Sequence, residues 1–202
     1  MECKSDLRRA VILRRDALAP GESAQCSARA AEHLLSLPEV QQAHTVMFFV
    51  TFGSEIDTVP MIFRALRDGK RVVAPRADPI RWELTPCQVR DPDCDFVLGA
   101  HHIREPAAHC PAIPLDEIEV VIVPAAVWAE DGYRIGYGGG YYDRFLPRLP
   151  HAVKIGLGLE VQVVGEVPHQ EHDLPVDMLV TDAGVRRFRG SERPSGANQD
   201  AQ

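Results

Sequence analysis

The stretch RIGYGGGYYDRFL, Arg134 to Leu146, places four glycines in five positions (Gly136, Gly138, Gly139, Gly140) and follows them at once with Tyr141, Tyr142 and Asp143. Glycine reaches backbone angles closed to other residues and lets a ligand come close to the main chain. Bare amides before a helix start attract an anion, and phosphate is the usual one. Asp143 adds a carboxylate beside it, and Mg²⁺ favours a carboxylate together with phosphate oxygens and water. The plainer alternatives are a glycine-rich turn without a ligand, and an acid that complements a helix dipole.

Named phosphate motifs do not account for this stretch. No G-x-x-x-x-G-K-[ST] occurs, and G-x-G-x-x-G fails at Tyr141 when started from Gly136 and at Val161 when started from Gly156. There is no G-x-S-x-G and no evident Ser-His-Asp arrangement. Lys4 and Arg8 are four apart and project alike from a helix, either as a solvated basic face or as a pair of cations for an anion. His169, His172 and Asp173 are ligand types that would suit zinc, but short motifs of this kind give many false positives and none is assigned. His101 and His102 read as loop residues, Arg76 as a surface arginine, and Trp82 and Trp128 as packing residues, with Trp128 abutting the glycine stretch.

The elements that must position these groups fit one domain. The chain has 202 residues, 45% of them hydrophobic and 25% charged, enough for one sizeable core. A net charge of -7 argues against broad nucleic-acid binding. No apolar run approaches the roughly 20 residues that span a bilayer, and the N-terminus lacks the features of a secretion signal. Five dispersed cysteines without C-x-x-C read as free thiols in a reducing cytoplasm. The expectation is a cytoplasmic monomer that acts on small molecules.

Periodicity predicts a helix over 6–18 capped by Ser5, with Leu7, Val11, Arg14 and Leu18 near one face. A second helix is expected over 22–37, ending before Pro38, and another from Thr58 to Asp68 with Gly69 as its stop. Buried strands are read at 44–50, 71–75, 118–125, 153–159 and 178–182, a helix at 141–149, and weaker strands at RWELTP and VRRF. The segment 77–114 otherwise reads as loops and short pieces. Alternating strands and helices imply an α/β domain over 1–189, its sheet mostly parallel with helices on both faces in a Rossmann-like three-layer arrangement. The polar tail 190–202 reads as disordered.

GYRIGYGGGYYDRFL resembles the signature of the 5-formyltetrahydrofolate cyclo-ligases, also called 5,10-methenyltetrahydrofolate synthetases. KSDLR matches their N-terminal K-x-x-x-R, SEIDT their E-[IV]-[DE]-T loop, HIREP a G-I-x-E-P element with His102 where glycine is common, and VIVPAAVW the strand before the signature. VPHQEHDLPVDMLVTD matches the closing segment, so the resemblance runs in order from residue 4 to about 182. It implies an ATP-dependent reaction in which 5-formyltetrahydrofolate and MgATP give 5,10-methenyltetrahydrofolate, ADP and phosphate.

By that resemblance, Lys4, Arg8 and Arg134 contact ATP, and Gly136, Tyr137, Gly138, Gly139 and Gly140 cradle the triphosphate with Tyr141 and Tyr142 beside them. Arg8, Val50, Glu55, Tyr137, Gly138, Gly139, Gly140 and Tyr141 border the folate, with Glu55 accepting hydrogen bonds from the pterin. Asp143 and Asp173 share Mg²⁺, and Arg134, Tyr142 and Asp143 serve catalysis. One departure stands out. Where the family usually carries F-D-x-x-G, this chain has Trp128, Ala129, Glu130, Asp131 and Gly132, so the acid is missing at Ala129. That favours one rival, a catalytically weakened nucleotide- or folate-binding module of the same fold.

Overall fold

Runs of Val, Ile, Phe and Met at consecutive positions suit strands whose two faces are both buried. That is their setting in the computed structural model, which describes residues 3–99, 103–170 and 173–188. In chain order the elements are α1 (Lys4–Asp16), α2 (Pro20–Leu35), α3 (Pro38–Gln42), β1 (Thr45–Met47), α4 (Val59–Arg67), β2 (Arg71–Asp78) and β3 (Glu83–Val89). There follow α5 (Pro92–Asp95), β4 (Phe96–Leu98), β5 (Arg104–Pro106), β6 (Val120–Val123), β7 (Val127–Ala129), β8 (Arg134–Ile135) and α6 (Tyr141–Phe145). The last are β9 (Val153–Leu157), β10 (Val163–Val164), β11 (Met178–Thr181) and β12 (Gly184–Arg187).

The main sheet has seven strands in the order β12-β11-β9-β6-β1-β2-β3. The run from β11 to β2 is parallel, and the two edge strands are antiparallel. Alternation along each strand sends side chains to opposite faces. Val46, Val72, Val120, Ile122 and Ile155 pack under α2, α3 and α4 through Ala30, Leu34, Val40, Ile62 and Ala65. Met47, Val73, Val121, Val123 and Leu179 pack on the other face with Phe145, Leu146 and Leu149. The result is the expected α/β sheet covered on both sides.

Strand order locates the crevice. From β1 the chain crosses by α4 to β2 on one side, while from β6 it crosses by α6 to β9 on the other. β1 and β6 are neighbours, so their C-terminal ends flank a topological switch point, where α/β sheets bind ligands. The loop carrying Val50 and Glu55 leaves β1, and the path to the glycine stretch leaves β6.

Several boundaries differ from the sequence reading. α1 begins at Lys4 with Cys3 as its N-cap, so Ser5 lies inside the first turn and is not the cap. The second helix runs Pro20–Leu35, opened by the preset φ of its first proline, and Pro38 starts a further short helix. β2 continues past Pro75 to Asp78 because its pairing with β1 covers only Arg71–Val73, so no ladder amide is missed beyond it. The helix expected at 141–149 ends at Phe145 and tightens to a 3-10 turn over Leu146–Arg148, where Pro147 supplies no amide. A three-stranded sheet, β10-β7-β8, goes beyond the strands read from the sequence; β7 and β8 lie between β6 and the glycine stretch, and β10 follows β9. The tail 190–202, like His101, His102 and His172, falls outside the described residues.

Trp128 is fully buried, as a packing residue should be. Its indole fills the space left by two glycines: a Cβ on Gly156 would come within 2.5 Å of it, and one on Gly158 within 2.6 Å. Gly156→Ala should therefore overpack this contact and lower stability by roughly 1–3 kcal/mol. Thermal melting would show this as a drop of several degrees in Tm, and an unchanged Tm would mean that the indole moves aside freely.

Candidate active site

One face of α1 explains how the site is held. Lys4, Arg8, Val11 and Arg15 follow the 4-3-4 spacing of a helix stripe. Val11 anchors the helix on the small sheet among Ala126, Val127, Ala129, Ile135 and Val167. The three cations each grip a different segment. Lys4 Nζ donates to Asp173 Oδ2 at 3.0 Å, and Arg8 Nε to the Gly136 carbonyl at 2.7 Å. Arg15 donates from Nη1 to the Tyr137 hydroxyl at 2.6 Å and from Nε to Ser54 Oγ at 2.9 Å.

Arg134 is the second centre. It is buried on β8, and its Nη2 donates to Asp143 Oδ1 at 2.7 Å. The same guanidinium lies in the field of Asp173. Burial pulls its pKa below the usual arginine value, and the nearby charges of Asp143 and Asp173 oppose that pull. So each of the two expected metal carboxylates is paired with an expected phosphate-binding cation: Asp173 with Lys4, Asp143 with Arg134.

Glu55 is the third centre. Its Oε2 accepts from the Phe52 amide at 2.9 Å, and its carboxylate accepts from the Tyr137 hydroxyl. Hydrogen bonds thus run from Arg15 through Tyr137 to Glu55. Desolvation pushes the Glu55 carboxyl above its ordinary range, against the bonds from Tyr137 and Phe52 and the charge of Arg15. The Tyr137 and Tyr142 hydroxyls are both pushed up, first by burial and then by the charge of Glu55.

The Tyr142 hydroxyl is buried without a hydrogen-bond partner among the described residues, between the fields of Glu55 and Arg134. A buried orphan of this kind is destabilising by about 1–3 kcal/mol, which a ligand group can recover. The glycines around it differ in kind. A Cβ on Gly136 or Gly138 would meet nothing within 4 Å, so open space and not packing surrounds them, and Gly138 has φ +104°. A Cβ on Gly139 would meet the Tyr141 ring, and one on Gly140 the Arg144 guanidinium. With only five residues, α6 adds little dipole, so the anion-attracting character rests on this loop and on Lys4, Arg8 and Arg134.

The structure brings Lys4, Arg8, Glu55, Arg134, Tyr137, Tyr142, Asp143 and Asp173 into one network. Val50 sits in the core at the end of β1. The packing reading of Trp82 is wrong: it is 51% exposed on the β2–β3 turn, which holds it out of the core. His169 stacks on Tyr133, with centroids 3.7 Å apart. Among the described residues one trio of metal-type donors gathers elsewhere, Asp95, His109 and Cys110. Its carboxylate already accepts from the Arg90 and Asp91 amides and pairs with His109. Ala129 lies in the apolar cluster under α1, while Glu130 and Asp131 face solvent. Sequence reasoning missed Arg15. Its signal was the stripe of Lys4, Arg8 and Val11, which continues to Arg15 and not to Arg14.

Comparison with known proteins follows the same lines. The model of the 5-formyltetrahydrofolate cyclo-ligase family matches residues 1–182. A 5-formyltetrahydrofolate cyclo-ligase of Escherichia coli K12 is 34% identical over 175 residues, covering 85% of this chain and 96% of that one. One from Mycolicibacterium smegmatis is 28% identical over 189 residues, covering 88% and 93%. The NMR structure of an Aquifex aeolicus 5,10-methenyltetrahydrofolate synthetase superposes with a TM-score of 0.82 at 30% identity, covering 98% of this chain and 99% of that one.

The raised pKa of Glu55 makes a signed forecast. An acid that binds its proton more tightly when folded adds stability below its unfolded value, near 4.5, and loses it as pH climbs through the raised folded value. Glu55→Gln should remove that loss, so the Tm difference between variant and wild type should move in favour of the variant as pH rises from about 4.5 toward neutrality. Parallel Tm profiles for the two chains would contradict it.

Proposed function

The chain belongs to the 5-formyltetrahydrofolate cyclo-ligase family, and on that premise we propose that it converts 5-formyltetrahydrofolate to 5,10-methenyltetrahydrofolate with ATP and Mg²⁺, releasing ADP and phosphate. The observation that carries the reading is the pairing of Lys4 with Asp173 and of Arg134 with Asp143 around one open glycine turn. Such a set is balanced in charge when empty. A magnesium–triphosphate ligand carries both signs of charge, so the cations can take phosphate oxygens and the carboxylates the metal without leaving a buried charge unpaired.

A formyl oxygen is a poor leaving group until phosphorylated. In the proposed reaction it attacks the γ-phosphorus, the bond to the bridging oxygen breaks, and ADP departs. The N10 amine then attacks the formyl carbon and loses its proton, and phosphate leaves with the electrons of its C–O bond. Most of the protein's work is positioning and charge neutralisation. Lys4, Arg8 and Arg134 take phosphate oxygens, and the main chain at Gly136 and Gly138, where a Cβ would meet only open space, approaches the triphosphate. Glu55 accepts from the pterin N–H groups and fixes the ring. The Tyr142 hydroxyl, without a partner among the described residues, bonds the substrate near the reacting centre. The donor set suits the metal: Asp143 and Asp173 would hold Mg²⁺, which neutralises phosphate charge when bound. Small-molecule substrates account for the site without a nucleic acid. Among the described residues no helix is long and apolar enough to cross a membrane; action in the cytoplasm as a monomer remains part of this proposal.

Methenyltetrahydrofolate formation can be followed by its near-ultraviolet absorbance with and without ATP. Binding of ADP and folate without product would support the weakened-module rival that Ala129 raised. Asp143→Ala should lower turnover on the order of 100-fold by removing a carboxylate that would hold Mg²⁺ beside the transferring phosphate, and near-normal turnover would remove Asp143 from the catalytic set. Lys4→Ala should raise KM for ATP about tenfold, the loss of one charge-assisted contact, while leaving KM for folate nearly unchanged. Equal rises in both would place Lys4 outside the phosphate site.

A further inference from the structure

The turn between β2 and β3 is Pro79–Trp82, and Asp78 Oδ1 fixes it by accepting from the amides of Ile80 at 2.9 Å and Arg81 at 3.0 Å. Its last residue, Trp82, has φ +57°, and it is the sole non-glycine residue with positive φ among those described. Side chains with a Cβ pay a steric penalty there that glycine does not. The indole is also half in solvent, so neither backbone preference nor burial asks for tryptophan at this position. An observed strained residue of this kind points toward a functional use of its side chain.

What surrounds the indole says what that use is. Trp82 leans on Tyr141, with ring centroids 5.7 Å apart and planes tilted by 33°. Its carbonyl accepts from Arg144 Nε at 2.9 Å, and Arg144 Nη2 donates to the Gly139 carbonyl at 2.6 Å. The turn is thereby tied to the glycine loop and does not swing free. A recess of about 140 Å³ beside it is lined by Arg81, Arg144 and Arg148 together with Glu83, Leu84 and Tyr141.

We propose that Trp82 and Tyr141 form a stacking subsite for a flat aromatic ring that carries an anionic group, with Trp82 as a specificity-determining residue of the crevice. This rests on the cyclo-ligase reading, since that reaction brings two such molecules to the glycine loop: the nucleotide, whose adenine bears phosphates, and the folate, whose rings bear a glutamate. Both offer the same π-face to an indole. The arginines of the recess suit the anionic end of either.

The test uses the full chain with Trp82→Gly and Trp82→Phe. Glycine is at home at this φ, so Trp82→Gly should fold with a Tm close to or above that of the wild type. Dissociation constants for ADP and for 5-formyltetrahydrofolate are measured by calorimetry, alongside KM for both substrates. In Trp82→Gly the constant for one of the two should rise roughly tenfold, the loss of one aromatic stack, with the other within about twofold, and Trp82→Phe should recover most of the loss. The affected ligand identifies the ring. Values within about twofold of wild type for both ligands overturn the subsite, as does a wild type that binds neither. A chain that binds with this pattern but makes no methenyltetrahydrofolate keeps the subsite and defeats the cyclo-ligase reading.

Discussion

A guanidinium almost wholly withdrawn from water is the constraint around which this site is built. Arg134 has only 5% of its side chain exposed, and a buried charge persists only where charges and hydrogen bonds compensate it. Asp143, at the start of α6, and Asp173, far along the chain, must both come near it. The glycine loop between Arg134 and Asp143 is short, and its glycines at positive φ, Gly138 and Gly140, turn the chain back. Lys4 is drawn in by Asp173, and with Lys4 comes α1, whose stripe reaches Gly136 through Arg8 and Tyr137 through Arg15. Convergence of three segments, α1, Arg134 to Asp143, and Asp173, thus follows from one buried cation and the charges that it requires.

The same arrangement defines what the site can do. Cations and carboxylates are held in pairs, not solvated singly, so a ligand that brings both phosphate oxygens and a divalent ion exchanges partners with little loss. A ligand with only one of the two would leave half of each pair uncompensated. Glu55 follows a different logic. It lies on the β1 side of the switch point with its carboxyl desolvated and one hydroxyl bonded to it, poised to gain from further N–H donors. On the proposed function, the phosphate end and the ring end of the crevice are built from opposite ends of the electrostatic scale, and Tyr137 and Tyr142 lie between them.

Much of the fold was legible because it rests on pattern. The apolar runs at Val120–Val123 and Met178–Thr181 are strands, and α4 ends where Gly69, at φ +81°, releases the chain. What was not legible depends on distant partners. β7, β8 and β10 are two or three residues each and exist because Trp128 pairs with both Arg134 and Val163. The extension of β2 past Pro75 depends on where β1 stops. Within the site, the glycine turn and Asp143 could be read from residue types alone. Glu55 and Asp173 gained meaning only through family resemblance, since a loop acid carries no local mark of desolvation. Arg15 was hidden among neighbouring arginines, and its place on the stripe of Lys4, Arg8 and Val11, together with its burial, separates it from Arg9 and Arg14. Trp82 looked like core because tryptophans usually are; its exposure is set by a turn that Asp78 closes.

The central claim is that carboxylates and cations change partners together when nucleotide and metal bind. The most direct test measures the stabilisation of the wild-type chain by Mg²⁺ alone, by ADP alone and by the two combined, at constant ionic strength. Coupled exchange predicts that the combined shift in Tm exceeds the sum of the separate shifts, because ADP frees Asp143 and Asp173 for the ion and the ion holds the phosphates in turn. Shifts that merely add, after allowance for Mg²⁺ binding to ADP in solution, would show that the two ligands do not share this cluster.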